Sequence, residues 1–196
     1  MSLRILGGLL KGLKLDVNEQ STRPTGVLLK RRLFDARQRF DDVHFIDLCA
    51  GSGSVGIEAL SRGALKLTLV EKDTNAFKKL HGVVQGLKQD NIDLSTEVEI
   101  DCVKKDAQRW LEQFLKTEIL YDKNVILFFD PPYNDLSLYT QVLNLISNSN
   151  FKGELWVEYD LGIDKNVKDI LDQFYDRVGQ KKYRHGQHEV SIFNFT

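Results

Sequence analysis

The chain has 196 residues, 42% hydrophobic and 28% charged, with a net charge of −1. That length suits one domain with a small extension and supplies enough apolar mass for a core. It contains neither an apolar run long enough to span a membrane nor a secretory-signal pattern, so the expected location is the cytoplasm.

Residues 4–17 begin with a short apolar segment and Gly7-Gly8, then alternate through Leu13-Lys14-Leu15-Asp16-Val17, which predicts a β-hairpin. Thr22-Arg23-Pro24-Thr25 reads as a turn and helix start. Leu28, Leu29, Leu33 and Phe34 then recur at helical spacing and would leave Lys30, Arg31 and Arg37 to water or ligand. From residue 43 the pattern becomes repeated βα units. Strands are predicted at 43–48, 67–70, 97–103, 124–129 and 154–159, with helices at 54–62, 75–87, 107–116, 138–146 and 165–171. Two final β segments, at about 174–183 and 189–195, are joined by the short His185-Gly186-Gln187-His188 and should pair antiparallel. Such a pattern implies a parallel sheet covered on both faces with one reversed strand. The expected division is an extension over 1–40 and a main domain over 41–196.

Charge is unevenly spread. Residues 1–40 hold nine basic side chains against three acidic ones, and Lys181, Lys182 and Arg184 lie near the other end. A basic arm on a neutral body suggests contact with a polyanion, the alternative being a solvated helix face. Cys49 and Cys102 lack metal or redox spacing and read as reduced, buried thiols; no Cys/His cluster suggests a metal. His44, His81, Trp110 and Trp156 read as packing or surface residues.

Two motifs carry chemistry. Asp47-Leu48-Cys49-Ala50-Gly51-Ser52-Gly53-Ser54-Val55-Gly56 joins the first parallel strand to its helix, and Glu71 lies 20 residues beyond Gly51. The glycines let the backbone turn tightly and approach a ligand, and an acid at that distance can bind both ribose hydroxyls. This spacing alone fits NAD as well as S-adenosylmethionine. The second motif decides between them. Asp130-Pro131-Pro132-Tyr133 follows the apolar run 125–129. Its prolines lack N–H groups and fix φ, and Asp130 is pushed toward an extended conformation by the proline after it. The product is a stiff hook of acceptors beside an aromatic face, suited to a planar ring with an exocyclic amine. A dehydrogenase has no use for that hook. Asp47 is placed to meet the cationic donor, and Asp106-Ala107 to meet the adenine amine and ring nitrogen. The cofactor residues expected are Asp47, Leu48, Ala50, Gly51, Ser52, Gly53, Glu71, Lys72, Asp106 and Ala107.

These motifs, with Glu58-Ala59-Leu60-Ser61-Arg62-Gly63-Ala64, Val70-Glu71-Lys72-Asp73, Thr22-Arg23-Pro24-Thr25 and the early Arg4-Ile5-Leu6-Gly7-Gly8, resemble the bacterial 16S rRNA guanine-N2 methyltransferases of the RsmD type over essentially the whole chain. Two departures stand out. After Thr25 the family usually reads Thr-Asp-Arg-Val-Arg-Glu, where this chain has Gly26-Val27-Leu28-Leu29-Lys30-Arg31, and Cys49 replaces a common aromatic residue. The resemblance implies a Rossmann-like class I methyltransferase fold, with a seven-stranded, mostly parallel sheet, a reversed last strand and an N-terminal hairpin. It implies S-adenosylmethionine as donor and a guanine N2 amine in 16S rRNA or the small-subunit particle as acceptor; a monomer with neither metal nor membrane is expected. Asp130, Pro131, Pro132 and Tyr133 would handle the amine, while Arg4, Lys11, Arg23, Thr25, Lys30, Arg31, Lys182 and Arg184 would meet RNA. Competing readings are a DNA adenine or cytosine N-methyltransferase, a protein-amine methyltransferase, and an idle RNA-binding protein of the same fold.

Overall fold

A computed structural model describes residues 2–16, 27–89, 98–117, 124–132, 134–163 and 165–196. β1 (Ser2–Arg4) and β2 (Lys14–Asp16) form the expected antiparallel hairpin, with Leu3 opposite Leu15. α1 (Val27–Ala36) follows; the predicted helix start at Pro24 lies outside the described residues. The βα units are β3 (His44–Asp47), α2 (Ser54–Ser61), β4 (Lys66–Glu71), α3 (Thr74–Gln89), β5 (Glu99–Lys104), α4 (Ala107–Phe114), β6 (Val125–Phe129), α5 (Leu136–Ser147), β7 (Gly153–Asp160) and α6 (Lys165–Val178), closed by β8 (Gly179–His185) and β9 (His188–Phe195).

One seven-stranded sheet runs in the order β5-β4-β3-β6-β7-β9-β8. Strands β5 through β7 pair in parallel, and β9 runs antiparallel to both neighbours. The reversed last strand is as the short closing turn predicts. One boundary differs: the segment expected to be a strand from about residue 174 is still helix until Val178. Val167, Leu171 and Phe174 sit at helical spacing and are all buried, so α6 continues as long as that stripe has sheet to cover. Two apolar layers fill the faces. One joins the hairpin, α1, α2 and α3 to the sheet, and the other lies under α4, α5 and α6. Trp156 and the Phe34, Phe40 and Phe45 rings meet in the first layer. The hairpin and α1 therefore share a core with the main sheet.

The joint between hairpin and sheet is polar and buried. Glu58, on α2, has no solvent exposure. Its carboxylate accepts the Leu6 N–H at 2.7 Å and the Gly7 N–H at 2.9 Å, and it pairs with Arg62 at 2.9 Å and Lys30 at 3.5 Å. Lys30 also donates to the carbonyls of Arg4 and Ser54 at 3.4 Å. This corrects the expectation that Lys30 faces ligand: its side chain lies under the hairpin, on the same helical stripe as Leu33 and Phe34. Burial lowers its pKa, opposed chiefly by Glu58. Arg37, also expected to be open, is half-buried and pairs with Glu154 at 2.6 Å. The Ser61 hydroxyl donates to the Gly7 carbonyl at 2.5 Å and accepts the Leu10 N–H at 2.8 Å. A Cβ on Gly8 would stand 1.7 Å from the Ser61 carbonyl oxygen, which explains the second glycine of the pair. The Glu-x-x-Ser-Arg run is thus a docking surface for the hairpin.

Candidate active site

In an open parallel sheet, ligands gather where neighbouring strands send their connections opposite ways, at the carboxyl ends. Here that point lies between β3, whose next helix crosses to β4, and β6. The loop after β3 is stitched to both sides: Leu48 N–H donates to the Phe128 carbonyl at 2.9 Å and Ala50 N–H to the Val70 carbonyl at 2.9 Å. Gly53 adopts a left-handed φ of 75° where the loop enters α2. Gly56 is required for close packing, since a Cβ there would meet Leu69 Cδ2 at 2.6 Å.

Asp47 ends β3 with 2% exposure, and its Oδ1 has no hydrogen-bond partner among the described residues. Burial pushes its pKa up to about 7; N–H groups of Gly56 and Cys49 oppose this, and Glu71 and Glu158 add to it. A buried, half-satisfied carboxylate is poised to accept a cation. Glu71 accepts the Gly51 N–H at 2.8 Å on one oxygen and the Asp73 N–H at 2.7 Å on the other, which fixes the end of β4 against the glycine loop. Asp106 caps α4 by accepting the Arg109 N–H at 3.2 Å, and Ala107 is buried beside it. Lys72 is half exposed, and its ammonium lies 3.6 Å from the Asp135 carboxylate.

β6 is buried throughout and delivers the hook. Asp130 is half-buried, Pro131 buried and Pro132 exposed; Tyr133 lies outside the described residues. The Asp135 N–H donates to the Pro132 carbonyl at 2.8 Å, closing a turn. Register fixes the relation to Asp47. Asp47 stands opposite Phe128 in the parallel β3–β6 pair, so Asp130, two residues further and just past the end of β6, leaves the sheet at the same carboxyl edge on the adjacent strand. Cys49 follows Asp47 by two residues in the loop and feels both carboxylates. Burial drives its thiol pKa well up, and Asp47, Asp130 and Glu71 add to the shift while Lys72 opposes it. Four predicted site groups are therefore near enough to act electrostatically on one loop residue. Both cysteines are free and half-buried, where full burial was expected.

The predicted RNA residues divide. Arg4, Lys11, Arg31, Lys182 and Arg184 are exposed, while Arg23 and Thr25 lie outside the described residues. Because His188 of β9 opposes Asp160 of β7 and His185 of β8, the closing turn lies at the same carboxyl edge as Asp130, with Arg184 beside it. Lys182 is already engaged by Asp172 at 3.3 Å and by the Tyr175 ring at 4.2 Å. Arg32, absent from the expected set, donates to the Arg184 carbonyl at 2.5 Å and ties α1 to the β8 edge. Also missed was Glu158, fully buried near the end of β7 and, by the same register, neighbour to Asp130. Its signal was a charge inside the apolar run 155–159. A cavity of about 640 Å³ between α4 and α5 is lined by Gln108, Glu112, Gln141 and Asn144, among others, and by none of the predicted site residues.

A match to the family described as conserved hypothetical protein 95 spans residues 3–194. The chain belongs to that family. Its relatives include the ribosomal RNA small subunit methyltransferase D of Haemophilus influenzae, 33% identical over 151 residues, covering 76% of this chain and 72% of the relative. The YlbH protein of Bacillus subtilis is 36% identical over 196 residues, covering 97% and 98%. A solved structure of a hypothetical protein from Thermus thermophilus matches with a TM-score of 0.71 and 26% identity, covering 98% and 99%. The chain is an RsmD-like methyltransferase with a Rossmann-like fold. No group of side chains suited to a metal ion occurs among the described residues, and no described helix is long and apolar enough to cross a membrane.

Proposed function

We propose that this RsmD-like methyltransferase moves a methyl group from S-adenosylmethionine to the exocyclic N2 amine of a guanine in small-subunit rRNA. The observation that carries the reading is the parallel β3–β6 register, which brings Asp47 and the start of the Asp130 hook to the carboxyl ends of adjacent strands. A cation-seeking carboxylate and an amine-accepting hook would then serve neighbouring parts of one site. The rRNA assignment is supported by the name of the Haemophilus influenzae relative and by the exposed basic residues on the hairpin, α1 and β8.

The residues present fit the cofactor. Asp47 would receive its ammonium, the Gly51–Gly53 turn leaves room for backbone approach, Glu71 retains lone pairs for ribose hydroxyls, and Asp106 with Ala107 would frame the adenine. When bound, the cofactor supplies a methyl group activated by a sulfonium. Lys72, expected among these residues, points to Asp135 instead.

Asp130 and the Pro131 carbonyl accept hydrogen bonds from the guanine amine and turn its nitrogen lone pair toward the methyl. They also favour the positive charge that develops on nitrogen, and Asp130 can take the released proton. The protein works chiefly by alignment, the largest lever for a reaction with a good leaving group. Tyr133 would stack on the unpaired base. The RNA contacts assigned to Arg4, Lys11, Arg23, Thr25, Arg31, Lys182 and Arg184 require binding that weakens steeply with salt. Transfer of a labelled methyl group from S-adenosylmethionine to small-subunit rRNA, with the product mapped to guanine N2, tests the whole reading. Label on adenine or cytosine of DNA would overturn it, and no transfer at all would favour an idle RNA-binding protein.

Asp47 also predicts a pH signature. Its pKa of about 7 in the free protein means that a cationic ligand, which stabilises the charged carboxylate, must displace a proton at lower pH. Cofactor affinity should rise by up to about tenfold per pH unit between roughly pH 5 and 7 and level off above. Calorimetric titration in buffers of different ionisation heat should show proton release in that range. Asp47→Asn should flatten the profile.

A further inference from the structure

The hook is followed within two residues by Asp135, the cap of α5, which holds its Pro132 carbonyl. Asp135 is a junction. Its N–H donates to the Pro132 carbonyl at 2.8 Å, and its carboxylate caps α5 by accepting the Leu138 N–H at 3.3 Å and the Ser137 hydroxyl at 3.0 Å. Leu138 and Tyr139 anchor that helix start in the core. The remaining partner of the carboxylate is Lys72, which leaves the end of β4 on the far side of β3. The ion pair therefore joins the two strands that flank β3 and its glycine loop.

The base from which Lys72 reaches is rigid. Glu71, just before it, is held by the Gly51 and Asp73 N–H groups, and Asp73, just after it, caps α3 by accepting the Asn75 and Ala76 N–H groups at 2.9 and 2.8 Å. Both neighbouring carboxylates are thus engaged by main chain, and the ammonium turns to Asp135.

We propose that Lys72 is a positioning residue for the amine-accepting hook, acting through Asp135, rather than a contact of the methyl donor. This rests on the function proposed above and extends it. The pair keeps Asp135 over the hook, Asp135 keeps the Pro132 carbonyl occupied, and the Pro131 carbonyl is left as the backbone acceptor beside Asp130. It also links the ribose side of the site to the acceptor side, since Glu71 and Lys72 are consecutive. The pair is partly exposed, so its effect is one of geometry and is modest in size.

The variants Lys72→Met, Lys72→Arg, Asp135→Asn and the Met/Asn double variant test it, because Asn preserves the helix cap while removing the charge. Single-turnover methyl transfer to a small-subunit rRNA transcript should slow about 3- to 10-fold in Lys72→Met and in Asp135→Asn, and the double variant should be no more than about twofold worse than either. Lys72→Arg should restore most of the rate. The dissociation constant for S-adenosylmethionine should stay within about twofold throughout. Hydrogen exchange across residues 134–138 should quicken in Lys72→Met, with or without RNA. Tenfold weaker donor binding in Lys72→Met alone, additive losses in the double variant, or unchanged exchange would each overturn the proposal. If the unmodified protein methylates no RNA, the function above fails, and the exchange result still decides whether Lys72 orders the hook.

Discussion

Asp130→Ala should leave S-adenosylmethionine binding within a few fold of the unmodified protein and slow methyl transfer by about 10²- to 10⁴-fold, the range expected when a proton-accepting group at the reacting atom is lost. Donor binding survives because its predicted contacts leave from β3, β4 and β5, whereas Asp130 leaves from β6. Asp130→Asn is a sharper probe. An amide keeps the size and one acceptor oxygen but cannot take the amine proton, so a rate near the unmodified one would show that Asp130 only orients the amine. Rapid-quench measurement with labelled donor separates the two variants from effects on binding. Full activity in Asp130→Ala would remove the hook from the mechanism.

Glu58→Ala should be the most damaging single change outside the catalytic loop. It strips the counter-charge from Lys30, whose side chain is 2% exposed, leaves Arg62 without its pair, and orphans the Leu6 and Gly7 N–H groups. Breaking a buried pair from one side costs about 3–5 kcal/mol. For a chain of this length, the melting temperature should fall by roughly 6–20 °C. Removing Glu58 and Lys30 together as Glu58→Met with Lys30→Met should cost less than Glu58→Ala, because the more deeply buried of the two orphaned cations is gone and only Arg62 is left unpaired by the change. A double variant less stable than the single one would show that Lys30 contributes mainly through its bonds to the Arg4 and Ser54 carbonyls and not as the partner of Glu58.

Much of the fold was readable because it rests on local rules. The glycine loop requires a left-handed residue at Gly53 and a missing Cβ at Gly56, and both needs are written in residue type. The hook is similar, since two prolines after a buried strand leave the backbone few options. What escaped the sequence depended on partners far along the chain. Lys30 falls on the buried stripe with Leu29, Leu33 and Phe34, but its charge spoke for the surface, and the acid that neutralises it is 28 residues away. The α6–β8 boundary was misplaced because β-prone residues, Phe174 and Tyr175, sit on a helix held by packing against the sheet. Asp135 gave no sign of its second partner, because β4 and β6 become near neighbours only once β3 lies between them.

Glu58 touches Leu6, Gly7, Lys30 and Arg62 at once, and Ser61 adds Leu10. An amino-terminal arm transplanted from another species would have to offer that carboxylate a matching cation and matching main-chain N–H groups. A chimera should therefore fold well only when helix α2 is exchanged along with the arm, because the two halves of this joint form one folding unit.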